Sequence, residues 1–390
     1  MTYQPFLPEA AAGSLEPRHV VVPLRKTLKG CHVVTARVGA IDHAGRTVRV
    51  EPMEGEPYDL AYDELVVALG SVARTLPIPG LAQHGMGFKQ IEEAIALRNH
   101  VLDRLDVAAS VPDSATRRSA LTFLFVGGGY AGVEALAEIE DMARFATRYY
   151  DSISSDDLRF VLVEAADRIL PEVGPDMGRY TIERLEERSI EVRLHTRLES
   201  CVNRHVVLSD GEEFDADTIV WTAGVKANPV LAASDLPLDE KGRLRATPDL
   251  RVDGVTCAWT AGDNSAVPDL TAPGQLCSPS AQHAVRQARV LADNVIRSLR
   301  GEPLEDYKHK HVGSVASLGL YKGVAQVYGV KLRGFPAWFM HRTYHMSRLP
   351  TFNKKVRVVL DWTLALFFRR DVVSLGSLQR SREDFDRANA

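Results

Sequence analysis

Between Leu121 and Asp141 the sequence LTFLFVGGGYAGVEALAEIED passes from an apolar run through a glycine-rich turn into a helical pattern. Few arrangements restrict a chain more. The apolar run, 121–126, reads as a buried strand, and a helix begins at the last glycine. Gly127 permits the tight turn, and Gly129 leaves room for close approach to the backbone. Gly132 lets the helix pack on the strand. The helix N-terminus then offers unpaired N–H groups and partial positive charge. Together these suit a dinucleotide pyrophosphate.

A second strand, Arg159–Val163, ends in an acid, Glu164. A carboxylate there accepts both ribose hydroxyls and repels a 2′-phosphate, so NAD(H) is expected rather than NADP(H). Glu164 lies 32 residues beyond Gly132, where about 20 is usual. The excess fits in a lengthened crossover, 135–157.

Three further runs pair an apolar strand with a small residue and a glycine: VVALGS (66–71), VWTAGV (220–225) and AWTAGDN (258–264). Each alone is an ordinary strand end. In this order around the glycine turn they resemble the runs that, in flavoproteins with two nucleotide domains, mark chain crossings where backbone approaches a cofactor. Asp263 follows the last of these glycines and can accept hydrogen bonds from the ribityl hydroxyls of FAD.

Net charge is −4, but residues 331–390 carry 12 Lys/Arg against 5 Asp/Glu, leaving −11 on the rest. A basic tail on an acidic body predicts an anionic partner. The segment KKVRVVLDWTLALFFRR (354–370) is too short to span a bilayer and too apolar for a free surface helix. It is expected to lie in the membrane interface, with Trp362 and the two phenylalanines inserted and the cations on headgroups. FPAWFMHRTYHMSRLP (335–350) adds aromatics and cations to the same layer. A dimerisation or core helix is the other reading of this tail, which leaves a homodimer open. No nucleic-acid signature accompanies the aromatics, so nucleic acid is not expected.

Cys31, Cys201, Cys257 and Cys277 are scattered, with no CxxC pair. A disulfide framework, a metal site and a dithiol redox centre all lose support, and a reducing compartment fits. The N-terminal residues lack the basic and apolar regions of a signal peptide.

The chain resembles a type II NADH dehydrogenase, the single-subunit NADH:quinone oxidoreductase of respiratory membranes. The resemblance rests on residues 3–25, YDELVVALGS (62–71), 121–141, VLVEAADRILP (161–171), VWTAGV, TAGDN and SPSAQHAVRQA (278–288), and it runs nearly the whole length. It implies an α/β fold with two Rossmann-like dinucleotide-binding domains, as in glutathione-reductase-like flavoproteins, plus a C-terminal amphipathic membrane-associating region. The expected divisions are 1–115 (FAD domain, first part), 116–228 (NADH-binding domain), 229–325 (FAD domain, second part) and 326–390 (membrane association). A polar stretch, 110–119, reads as the first linker. The resemblance also implies a peripheral enzyme on the cytoplasmic face of the cell membrane that pumps no protons. It implies FAD and NAD(H) as cofactors, and NADH and a membrane quinone as substrates.

By the same resemblance Gly127, Gly129, Gly132 and Glu164 bind NADH, and Gly224 lies where the nicotinamide half approaches. Gly70, Gly262 and Asp263 line FAD, and the segment Tyr3–Pro8 lies beside its ring system. Glu138, one turn after Glu134, matches a carboxylate near flavin and quinone. Ala281, Gln282 and Gln287 match a quinone-side element. Quinone reduction needs two protons, so Glu138 and Gln282 are the candidates for orienting quinone or relaying protons; Glu138 also reads as a solvated helix carboxylate paired with an arginine, and Gln282 as a helix-cap or surface residue.

One departure stands out. Relatives open with a βαβ unit carrying a glycine turn for the FAD pyrophosphate, and this sequence begins within the loop that follows such a unit. The expectation is a misplaced start, with about 30 or more residues preceding. The alternative is an NADH-binding, membrane-associated chain that holds FAD poorly. Another flavoprotein reductase of the same fold group is the enzyme rival; a sulfide-oxidising one would want paired redox cysteines.

Overall fold

The computed structural model describes residues 1–112, 114–309, 312–368, 370 and 372–374. The chain divides into two units. Unit 1 comprises 1–31, 75–224 and the chain from 312 onward; unit 2 comprises 32–74 and 225–311.

Unit 1 is built on a five-stranded parallel sheet in the order Gly85–Met86, Thr218–Trp221, Thr122–Val126, Arg159–Val163, Ile190–Arg193. Its central strands are apolar after their first residues, Thr218, Thr122 and Arg159, because both faces are covered. Alternation sends Phe123, Phe125, Phe160 and Leu162 to one side, where they pack with the helices Ile91–Ser110 and Tyr130–Ala146. Leu124, Val126, Val161, Val163 and Trp221 face the other side. There they meet Leu198, Val206 and Leu208 of a small antiparallel sheet. Residues 110–119 hold a short helix, Ala115–Ala120, capped by Ser114 and lying within unit 1.

The C-terminal part of unit 1 contains an antiparallel sheet, Gly313–Ser317, Gly323–Val327 and Val330–Arg333, which the sequence reading did not anticipate. Arg188 ties this sheet to the helix Tyr130–Ala146. It donates to Leu318 O at 2.5 Å, Ala137 O at 3.0 Å and Asp141 Oδ1 at 3.0 Å, and also pairs with Glu140. Two helices follow, Phe335–Arg348 and Phe352–Phe367. Among the described residues no helix is long and apolar enough to cross a membrane.

The second of these helices is amphipathic as expected, and it exposes Val359, Leu360, Leu364, Leu366 and Phe367, with Phe368 just beyond it. The expectation for Trp362 is corrected. Its ring packs edge-on against Phe6, its Nε1–H donates to Glu9 Oε2 at 3.0 Å, and Arg342 lies over its face. An indole whose N–H and face both have protein partners has no reason to leave them for the headgroup layer. Asp361, beside it, accepts from His19 Nδ1 at 2.5 Å, so this helix is anchored on the N-terminal segment of the same unit.

Unit 2 holds an antiparallel sheet, Ala36–Asp42, Thr47–Pro52 and Tyr58–Ala61, and a parallel pair, Leu65–Val67 with Ala258–Thr260. Ser71–Ala73 pairs antiparallel with Val225–Ala227. The helix Ala281–Leu299 packs through Leu291 on a core formed by Leu250, Trp259, Val267 and Tyr307.

Candidate functional site

The strand Thr122–Val126 ends at Gly127, and the helix Tyr130–Ala146 starts two residues after Gly128 with Gly129 as its N-cap. Gly127 has φ +115°, a conformation that L side chains rarely adopt. A Cβ on Gly132 would lie 1.9 Å from Gly127 O and 2.6 Å from Thr222 Oγ1, so this glycine is what lets helix meet turn. A Cβ on Gly129 would meet nothing within 4 Å. No side chain caps the first turn, and no acid lies in it. Open space at Gly129 before uncapped N–H groups is what a pyrophosphate needs. The residues present therefore fit the dinucleotide.

Glu164 stands at the end of the adjacent strand, half-buried. Its Oε2 accepts the Gly128 N–H at 2.6 Å and its Oε1 the Ala166 N–H at 2.7 Å. A carboxylate offers about four acceptor positions, so two remain for ribose hydroxyls. Thr222 seals the turn from the other neighbouring strand, its Oγ–H donating to Val126 O at 2.9 Å. Gly224 follows at φ +89°, and a Cβ there would also meet open space.

In unit 2, Gly70 and Gly262 both have positive φ, +65° and +81°. Buried Asn264 joins their turns: its Oδ1 accepts from Gly70 N at 3.1 Å, and its Nδ2 donates to Val67 O and Thr260 Oγ1. Asp263 accepts from Ser71 Oγ at 2.7 Å. A carboxylate beside the open turn at Gly70 fits a polyol such as the ribityl chain. No second glycine-rich strand–turn–helix occurs among the described residues, so the residues that can be named for FAD are those of this end.

Gln287, expected on the quinone side, is buried and accepts the Gly262 N–H at 2.8 Å. It thereby positions a cofactor-side turn. Ala281 opens its helix, exposed, after the Ser280 cap, and Gln282 is half-buried. Asn264 and Thr222 were missed at the sequence level, although each sits within two residues of a small-residue–glycine pair that had been singled out.

Glu138 is fully buried in unit 1. Its Oε1 accepts from Ser317 Oγ at 3.2 Å, and its Oε2 lies 3.7 Å from Arg370 Nη2. Glu134, one turn earlier, accepts the Ser317 N–H at 2.8 Å and lies 3.0 Å from His341 Nε2. Burial pushes both carboxyls up to about 7, and it pushes His341 down to about 4 and His345 to about 3. Beside them, Arg342 Nε lies 3.3 Å from Glu9 Oε1, both residues almost fully buried. Glu9, His341 and His345 were not assigned roles from sequence, although the i, i+4 histidines of HRTYH were visible there. The four cysteines are all free.

The pyridine nucleotide-disulphide oxidoreductase family model matches residues 1–288. A type II NADH:quinone oxidoreductase of Staphylococcus aureus is 31% identical over 344 residues, 86% of this chain and 83% of that protein. One from Mycobacterium tuberculosis is 28% identical over 383 residues, 94% of this chain and 81% of that protein. The solved structure of NDH2 from Plasmodium falciparum in complex with NADH shares the fold with a TM-score of 0.86 at 17% identity, covering 95% of this chain and 92% of that one. The chain belongs to the pyridine nucleotide-disulphide oxidoreductase family and, within it, to the type II NADH:quinone oxidoreductases.

Proposed function

We propose that this chain passes electrons from NADH, by way of FAD, to a membrane quinone, without pumping protons. The observation that carries the reading is the glycine turn held by Glu164, set in a chain whose relatives carry that activity. FAD, when bound, supplies a centre that accepts a hydride and passes its electrons on. Gly129 and the N–H groups of the following turn hold the NADH pyrophosphate. Glu164 takes the adenosine ribose and excludes a 2′-phosphate by charge. Gly224 leaves space for the nicotinamide half, and Gly70, Gly262 and Asp263 hold the ribityl side of FAD. Positioning is the main contribution these residues make to the hydride step.

In unit 1 Glu138 is the quinone-side carboxylate; in unit 2 Gln282 and Ala281, at the start of their helix, serve the quinone, and Gln287 on the same helix holds the Gly262 turn. A carboxyl held near neutral pKa by burial is suited to donating a proton at neutral pH. Residues 116–228 serve NADH, 1–115 and 229–325 serve FAD, and 335–370 dock on the cytoplasmic face of the membrane. The exposed apolar row from Val359 to Phe368 supports that docking.

The test is quinone-dependent NADH oxidation by the full chain supplied with FAD, with NADPH as the control. Oxidation of NADH far faster than NADPH is expected. Equal rates, or no quinone dependence, would contradict the reading.

A further inference from the structure

A line of titratable side chains runs through unit 1 from partly exposed Tyr3 and His345 to fully buried Glu138. Tyr3 Oη and His345 Nδ1 lie 3.3 Å apart. His345 and His341, one turn apart on the same helix, meet edge-on with ring centroids 4.6 Å apart. His341 Nε2 reaches Glu134 Oε1 at 3.0 Å, and its buried Nδ1 has no hydrogen-bond partner among the described residues. Ser317 then connects the two carboxyls, its N–H donating to Glu134 and its Oγ–H to Glu138.

Burying so many ionisable groups is costly, and a purely structural cluster resolves the cost by pairing opposite charges. The neighbouring Glu9–Arg342 pair does so. Arg342 also acts on His341, but its ion pair is with Glu9, and among the described residues Glu134 pairs only with His341. Each neutral imidazole carries one N–H and one acceptor nitrogen. A ring can therefore take a proton on one nitrogen while releasing one from the other.

We propose that Tyr3, His345, His341 and Glu134 form a proton-supply line that re-protonates Glu138 during turnover. This rests on the reading of Glu138 as the quinone-side carboxylate. A quinone takes two electrons and two protons to become a quinol. NADH supplies the electrons, and the line moves protons only. A proton enters from solvent at His345, crosses to the open Nδ1 of His341 as the adjoining rings turn, leaves His341 Nε2 for Glu134, and reaches Glu138, one helical turn on, as the two carboxyls that Ser317 holds side by side rotate. Only O–H and N–H bonds form and break. The charged groups that bear on the line are Arg370, Glu9, Arg342 and Asp141 around Glu138, with Glu9 and Arg342 acting on His341 as well. At the outer end Tyr344 and Arg348 bear on Tyr3. Both inner carboxyls are protonated below about pH 7, so supply weakens as pH rises through that value.

The test compares wild type with H341Q, H345Q and E134Q across pH, using two acceptors: a quinone, and ferricyanide, which takes electrons without protons. Glutamine keeps a hydrogen bond but lacks the second titratable nitrogen. The quinone rate is expected to fall about tenfold or more relative to the ferricyanide rate, with the gap widening above about pH 7. His345 is partly exposed, so H345Q serves even where H341Q folds poorly. A second readout uses the chain without NADH or quinone: the infrared carbonyl band of buried carboxylic acids. It is expected to titrate near neutrality, to lose one component in E134Q and to shift its midpoint in H341Q. Quinone-to-ferricyanide ratios equal to wild type at every pH, or a band unchanged by E134Q, would overturn the supply line alone. A wild type that reduces ferricyanide but no quinone would overturn the quinone reading and the line with it.

Discussion

The Glu164 carboxylate accepts the Gly128 N–H at 2.6 Å, so the acid that ends one strand holds the glycine turn that ends its neighbour. One side chain thus shapes the pyrophosphate cradle and reads the ribose. Glu164→Gln weakens both contacts. Hydrogen bonds to a charged group contribute about 1.5–3 kcal/mol, so NADH affinity is expected to fall about 10–100-fold. Glu164→Arg is expected to lose NADH similarly while narrowing the preference over NADPH. Calorimetric titration with both nucleotides checks this; an unchanged NADH/NADPH ratio in the arginine variant would contradict it.

Gly129 and Gly132 separate binding from packing. Gly132→Ala puts a Cβ 1.9 Å from a backbone carbonyl, and the turn must move. Overpacking of this kind costs about 1–3 kcal/mol or more, so both thermal midpoint and NADH binding fall. Gly129→Ala puts its Cβ within 4 Å of nothing among the described residues, at φ −74°. It is expected to keep the melting temperature and still lose NADH affinity. Melting curves and nucleotide titrations on the two variants distinguish these outcomes.

Burial raises Glu134 from its ordinary value of 4.5 to about 7. A raised folded value means that the folded state holds the proton more tightly. That contribution is full below the unfolded value and is lost as pH rises through about 7. Glu134→Gln, which does not ionise, should therefore gain on wild type by about 1–3 kcal/mol between pH of about 5 and about 8. His341 acts in the opposite sense. Its value is lowered to about 4, so its contribution is present above its ordinary value and is lost as pH falls towards 4. Denaturation of wild type and E134Q at several pH values checks the first sign; a pH-independent difference would contradict it.

Phe367 and Phe368 are 78% and 67% exposed. Replacing both with serine is expected to weaken partitioning onto anionic vesicles about tenfold or more, at about 1.5–3 kcal/mol per phenylalanine. NADH binding should be unaffected. Vesicle sedimentation measures the first and nucleotide titration the second. Trp362→Phe should instead lower stability, since it leaves Glu9 Oε2 without its indole donor.

The sequence made the strand Thr122–Val126, the helix after it and the strand Arg159–Val163 legible because period, glycine spacing and the terminal acid agree locally. The helix Ala281–Leu299 was legible by its period. The sheet from Gly313 to Arg333 was not: its strands are four or five residues of mainly small or polar character. Trp362 was misread because its partner, Glu9, lies 353 positions away. Glu134 and His341 are likewise joined only by tertiary packing. Gln287 was singled out for one end of the reaction, and its contact with Gly262 emerged only from the fold.

The most direct measurement is the visible spectrum of the full chain supplied with FAD, recorded without oxygen before NADH, after NADH and after a quinone. Flavin bands that bleach with NADH and return with quinone are expected. Bands that NADH leaves unchanged, or that bleach and do not return with quinone, would contradict the proposed electron path from NADH to quinone.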